Sequence, residues 1–187
     1  MLVALAVVAA AGAAMGQDMS PEKQQAMMKA MTPGEHHKHL ANMAGAFEYT
    51  SKMWMAPGTP PMESKGTSEA EMIMGGRYLQ DVVAGDVMGM AFEGIGWTGY
   101  DNTSDEYTFA WIDNMSTGIM RGSGKCSDGG TVITLEGTMM APGVPDPMPF
   151  KQVVTVIDDK HHKMVWYMPS EEGEMFVTME LNYTRVK

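Results

Sequence analysis

Met175, Val177, Met179, Leu181 and Tyr183 are apolar and the residues between them are mostly polar, and similar alternation recurs from about residue 45 to Lys187. A period of two marks strands with one dry and one wet face. The segments follow one another through short Asp/Gly/Ser/Asn breaks, and no helix-length stretch intervenes. Neighbouring strands should therefore pair antiparallel and close on themselves. The expected fold is all-β, an up-and-down barrel of about ten strands preceded by one or two short helices.

The ten expected strands cover 46 to 55, 63 to 74, 77 to 84, 91 to 100, 106 to 113, 117 to 126, 131 to 140, 149 to 158, 161 to 168 and 174 to 185. Asp101-Asn102, Ser127-Asp128-Gly129-Gly130, Asp158-Asp159-Lys160 and Glu171-Glu172-Gly173 carry turn chemistry. Prolines between Pro142 and Pro149, and between Pro57 and Pro61, force longer loops, since proline cannot continue an inner strand. Upstream, residues 17 to 31 form a polar lead with a short helix from Ser20-Pro21. Thr32-Pro33 then offers an N-cap and N1 proline for a second helix over 33 to 44. Its apolar stripe, Leu40, Met43 and Ala44, is suited to closing one end of the barrel.

Residues 1 to 16 hold no charge, and the run is too short for a transmembrane helix, which needs about 20 apolar residues. It reads as an export signal with cleavage before Gln17, which makes the mature protein periplasmic or secreted, with no membrane insertion. Residues 32 to 187 then suit a single domain. A net charge of −10 disfavours nucleic acid and anionic lipid as partners, because both reward clustered Lys and Arg. Cys126 is the sole cysteine, so no intramolecular disulfide forms, and it reads as a buried small residue in a strand. Methionine is the outlier, with 23 in the chain.

Gly94-Ile95-Gly96-Trp97-Thr98-Gly99 matches GxGxxG, but it runs into a hairpin turn at Tyr100-Asp101-Asn102 and not into a helix N-terminus. Curvature or close packing explains those glycines better than dinucleotide binding. His36 and His39 share a helix face, but a metal needs more ligands than that pair. His161 and His162 lie in a distant hairpin, so the helix histidines read as solvated. Glu69 and Glu71, with Lys65 and Thr67, read as a solvated outer face. No GxSxG or HExxH motif appears, and no catalytic residue, metal ligand or cofactor is assigned.

Several strings in order carry a resemblance: Met53-Trp54-Met55, Met62-Glu63-Ser64-Lys65-Gly66, Gly75-Gly76-Arg77-Tyr78-Leu79-Gln80, Phe92-Glu93-Gly94-Ile95-Gly96 with Gly99-Tyr100-Asp101-Asn102, and Trp111-Ile112-Asp113-Asn114-Met115. Through them the stretch from His39 to Arg185 resembles the bacterial domain-of-unknown-function family 1579. The resemblance implies a calycin-like or lipocalin-like barrel and brings no activity or catalytic residues with it. Calycins place a Gly-x-Trp on the first strand and cover that ring with a basic residue from the last. Gly45-Ala46-Phe47 and Arg185 look similar, with Phe in place of Trp.

The leading expectation is a non-enzymatic barrel binding a small apolar molecule through Met53, Met72, Met164, Met175, Met179, Trp111, Asp113 and Asn114. A second is Cu(I) or haem handling by Met and His. A third is an enzyme whose polar residues Asp113, Asn114, Arg77 and Tyr100 converge at the barrel mouth.

Overall fold

The computed structural model describes residues 20–186 apart from Pro142. The expected export signal and its cleavage site before Gln17 lie outside the described residues. Contacts divide the chain into a unit ending at Thr32 and a unit beginning at Pro33. The first contains helix α1 (Pro21–Met31), which starts as its sequence indicates. Ser20 is the N-cap, its side chain accepting from the Lys23 amide, and Pro21 occupies the first turn.

The second unit opens with helix α2 (Glu35–Ala41), shorter than the expected 33 to 44. Thr32 does not cap it: the Thr32 hydroxyl donates to the Met28 carbonyl at 2.7 Å and so belongs to the end of α1. Gly34 is the N-cap, and its amide donates to His37 Nδ1 at 3.0 Å, with histidine in the place a glutamate takes in a capping box. Leu40 is fully buried and Met43 nearly so, and α2 packs against strands β2, β3 and β4 defined below.

Ten strands follow: β1 (Gly45–Met53), β2 (Met62–Ile73), β3 (Tyr78–Val87), β4 (Met90–Asp101), β5 (Glu106–Asp113), β6 (Met120–Ser127), β7 (Val132–Met139), β8 (Met148–Val156), β9 (His161–Pro169) and β10 (Met175–Arg185). Each pairs antiparallel with its neighbours in sequence, and β1 pairs with β10, so the barrel closes without an edge strand. The barrel and its strands are as the alternation predicts, with boundaries displaced by up to three residues, at the end of β3 and the start of β6.

One strand departs from strict alternation. In β10 the register shifts between Val177 and Met179, so Thr178 is an extra residue opposite no partner. Met179, Leu181 and Tyr183 line the interior as expected, but before the bulge it is Phe176, paired with Met168, that lines it, and Val177 does not.

The glycines of Gly94–Gly99 serve packing. A Cβ on Gly94 or Gly96 would run into the Trp111 indole, and one on Gly99 into the Tyr78 ring, each ring reaching over from an adjacent strand. Large aromatics can therefore lie flat on the sheet where these residues have no side chain.

Candidate functional site: a methionine-lined cavity

An antiparallel meander sorts its connections between two ends. The β2–β3, β4–β5, β6–β7 and β8–β9 turns lie at the end where α2 packs, and the odd-to-even connections lie at the other. The α2 end is closed. Leu40, Leu79, Tyr107 and Ile133 belong to one buried apolar cluster there. The Arg185 guanidinium carbon lies 4.5 Å from the centroid of the Phe47 ring, its cross-strand partner. Arg185 also donates to the carbonyls of Ala44, Asn42 (3.0 Å) and Asp159 (2.8 Å). The calycin-type latch is thus formed with Phe47 under the cation. It ties the last strand to the chain leaving α2. Gly45 is required beside it: its φ is +142°, and any Cβ would strike the guanidinium.

The other end opens into a cavity of about 1330 Å³. Its mouth is built from methionine. Met53, Met62, Met90, Met120, Met139 and Met148 are each the last residue of an odd strand or the first of an even one at that end. All but Met90 line the cavity. The same lining includes Met164, Met168, Met179, Phe92, Phe109, Trp111 and Trp166. Methionines scattered through the sequence are therefore gathered into one lining by topology.

Of the residues expected at the site, Met53, Met164, Met175, Met179, Trp111 and Asp113 line this cavity, Met175 at its exposed rim. Met72 does not: it lies one residue from the end of β2 and packs against the closed-end cluster. Asn114 is a turn clamp. Its Oδ1 accepts from the Glu93 amide at 3.1 Å and its Nδ2 donates to the Ala91 carbonyl at 2.9 Å. Asp113 accepts from Trp111 Nε1 at 2.8 Å and from the Met115 amide at 3.0 Å, so both its oxygens hold the chain's own donors.

The convergence of Asp113 and Asn114 with Arg77 and Tyr100 is overturned. Arg77 follows β2 and Tyr100 precedes the β4–β5 turn, both at the closed end, whereas Asp113 ends β5 at the open one. The helix histidines are not solvated either. His37 is buried, His36 stacks on Tyr100 with ring centroids 3.9 Å apart, and both His36 and His39 reach the Tyr107 hydroxyl. His161 does face solvent, 2.8 Å from Asp158, while His162 stacks on Tyr183 at 4.2 Å.

Two polar features of the lining were not anticipated. Asp81 stands between Leu79 and Val83 on the inward face of β3, where it accepts from the Ser68 hydroxyl at 2.6 Å. Burial pushes its carboxyl up to about 6, against the lowering effect of that hydrogen bond. Burial, and then the nearby Asp81, also raises Tyr49 and Tyr183. On the far wall, cross-strand partners Gln152 and Trp166 leave Oε1 and Nε1 buried without a partner among the described residues. Gln152 Nε2 donates to Met164 Sδ at 3.0 Å. The sequence did carry the signal: Asp81 and Gln152 each sit in phase with the apolar residues of their strands.

A closed antiparallel barrel with a plugged floor, an aromatic-and-arginine latch and an open apolar cavity defines a calycin-like barrel fold. The chain belongs to the family described as "Protein of unknown function (DUF1579)", whose model matches residues 32–185. No curated protein is matched by the chain. Among solved structures it is similar to the crystal structure of Rv2717c from M. tuberculosis, with 12% identity and a TM-score of 0.59 over 83% of this chain and 100% of that one. That likeness concerns the fold. A redesigned β-barrel is 11% identical over 80% of this chain and 96% of that one, and its TM-score of 0.42 is too low to carry an inference.

Proposed function

We propose that this protein is a non-enzymatic, exported container that holds one small, largely apolar molecule with a polar end. The observation that carries the reading is the cavity of about 1330 Å³, walled by methionine and aromatic side chains and open at one end. Ligand sites are typically concave and apolar with a few polar groups, at about 300 to 1,000 Å³. This cavity exceeds that range and leaves room for a sizeable ligand with some water. Methionine suits such a wall, since an unbranched, polarizable side chain adapts to varied shapes. Asp81 with Tyr49 on one wall, and Gln152 with Trp166 on the other, are the groups that would orient a polar end, because buried polar atoms gain from a partner.

Native mass spectrometry of protein purified from its own host tests this. The expected result is a single added organic mass that is lost on denaturation. A preparation that carries haem or copper in its place would contradict the reading. Intact mass of the same material tests export, with a mature N-terminus expected at Gln17 and a retained Met1 counting against it.

One observation favours a second reading, Cu(I) binding. Met62, Met53 and Met179 are directly opposed in register across β2, β1 and β10, and all three line the cavity. Opposed side chains on a sheet lie about 4.5 to 5.5 Å apart at Cβ, and thioethers select Cu(I). Replacing the three with leucine separates the readings. An apolar wall survives the change at a cost below about 1.5 kcal/mol per site, whereas a copper site loses its ligand atoms.

A further inference from the structure

Outside the cavity, at the closed end, four polar side chains converge from three elements. His36 and His39, three apart on α2, present their rings on one face of the helix. Tyr107 of β5 is fully buried, and its hydroxyl lies 3.1 Å from His36 Nδ1 and 3.3 Å from His39 Nδ1. Cys126 of β6 places its Sγ 3.5 Å from the same His36 nitrogen. One ligand atom each from His36, His39 and Cys126 lies within 4.8 Å of the others.

We propose that His36, His39 and Cys126 form a binding site for a divalent cation of the zinc type, which pins α2 to the barrel wall. Zn²⁺ takes imidazole nitrogen at about 2.0 to 2.1 Å and thiolate sulfur at about 2.3 Å in a tetrahedron, which sets ligand atoms roughly 3.3 to 3.8 Å apart. The His36 to Cys126 separation already falls in that range, and a bound ion draws in the wider pairs. The Tyr107 oxygen, or a water, completes the fourth position. Two imidazoles and a thiolate are a donor set that zinc prefers to calcium or magnesium, both of which seek oxygen.

The surroundings hold the rings in place. Tyr100 stacks on His36, and Gly130, with φ +89°, leaves the space that the His39 ring occupies, since any Cβ there would strike it. Each imidazole Nδ1 faces the same hydroxyl, which has a single proton to donate, so without an ion one of the two rings must supply the proton itself. A shared cation satisfies both nitrogens at once. The binding would release the thiol proton to solvent, leaving a thiolate on the metal with no change of oxidation state. This site is at the opposite end of the barrel from the cavity mouth, so it stands or falls apart from ligand binding.

The test is a Co²⁺ titration of the untagged, chelator-stripped full protein, followed by absorbance. One equivalent should produce tetrahedral visible bands with a near-ultraviolet thiolate-to-cobalt charge-transfer band, and one equivalent of Zn²⁺ should abolish both. In Cys126→Ser, shown to be folded by circular dichroism, the charge-transfer band should vanish. His36→Gln and His39→Gln should each weaken Zn²⁺ at least tenfold. Zn²⁺ should also raise the Tm of the native protein and leave that of Cys126→Ser nearly unmoved. Absence of the thiolate band in native protein, or unchanged Zn²⁺ affinity in Cys126→Ser, would overturn the proposal.

Discussion

Asp81 and His162 are both partly buried on the inward face of their strands and shifted in ways that oppose each other. Burial raises Asp81 from 3.8 to about 6, so its contribution to stability is full below pH 3.8 and is lost as pH rises through about 6. Burial, and then the Arg185 charge, lowers His162 from 6.5 to about 4; its contribution is full above pH 6.5 and is lost as pH falls through about 4. Each shift is worth roughly 3 kcal/mol at about 1.4 kcal/mol per pKa unit. The two slopes largely cancel between pH 4 and 6. Asp81→Asn keeps an acceptor for Ser68 and removes only one slope, so urea midpoints should show a variant more stable than the native protein at pH 7 and markedly less advantaged at pH 4. Arg185 is a second residue whose effect can be stated. Arg185→Ala removes the cation over Phe47 and hydrogen bonds to three carbonyls, and should cost about 2 to 3 kcal/mol in equilibrium unfolding. The latch was legible in the sequence because Gly45-Ala46-Phe47 on the first strand and Arg185 on the last resemble the calycin pattern. The pairing of His36 and His39 with Tyr107 and Cys126 was not, since no such pattern marks it and only the strand order brings β5 and β6 beneath α2.

Strands were read well because a half-buried strand writes its two faces directly into alternate residues. Two kinds of element resisted that reading. At β10 the run from Met175 to Tyr183 looks continuous, yet Thr178 bulges, and the Trp54 amide donates to the Thr178 carbonyl at 2.9 Å. A bulge costs only one residue, and nothing in local composition distinguishes Thr178 from an ordinary outward threonine. At α2 the cap was misplaced because Thr32-Pro33 satisfies the usual rules while its hydroxyl is already engaged by the preceding helix. The apolar stripe of α2 was legible, and its consequence can be measured. Leu40 is fully buried in the closed-end cluster, so Leu40→Ala should destabilise the protein by roughly 2 to 4 kcal/mol in urea or thermal unfolding. A loss below about 1 kcal/mol would mean that α2 is not a plug.

At the scale of the molecule, the alternating topology turns dispersion into convergence. Met53, Met62, Met139 and Met148 are far apart or separated by loops in sequence, but all stand at one end of the barrel because odd strands finish there and even strands begin there. The same rule sent Arg77 and Tyr100 away from Asp113, and took Met72 out of the cavity. Sequence alone gives the alternation, whereas which end holds which residue follows only once strand order and direction are fixed. Whether the open cavity is a ligand chamber is measured by titrating the protein with N-phenyl-1-naphthylamine, a neutral apolar dye, while following energy transfer from the cavity tryptophans Trp54, Trp111 and Trp166. Saturable binding of one dye per chain is expected, with the energy transfer reduced in Trp111→Phe and in Trp166→Phe, whose rings line the chamber. Absence of dye binding by the native protein, or energy transfer unchanged in both variants, would overturn the ligand chamber.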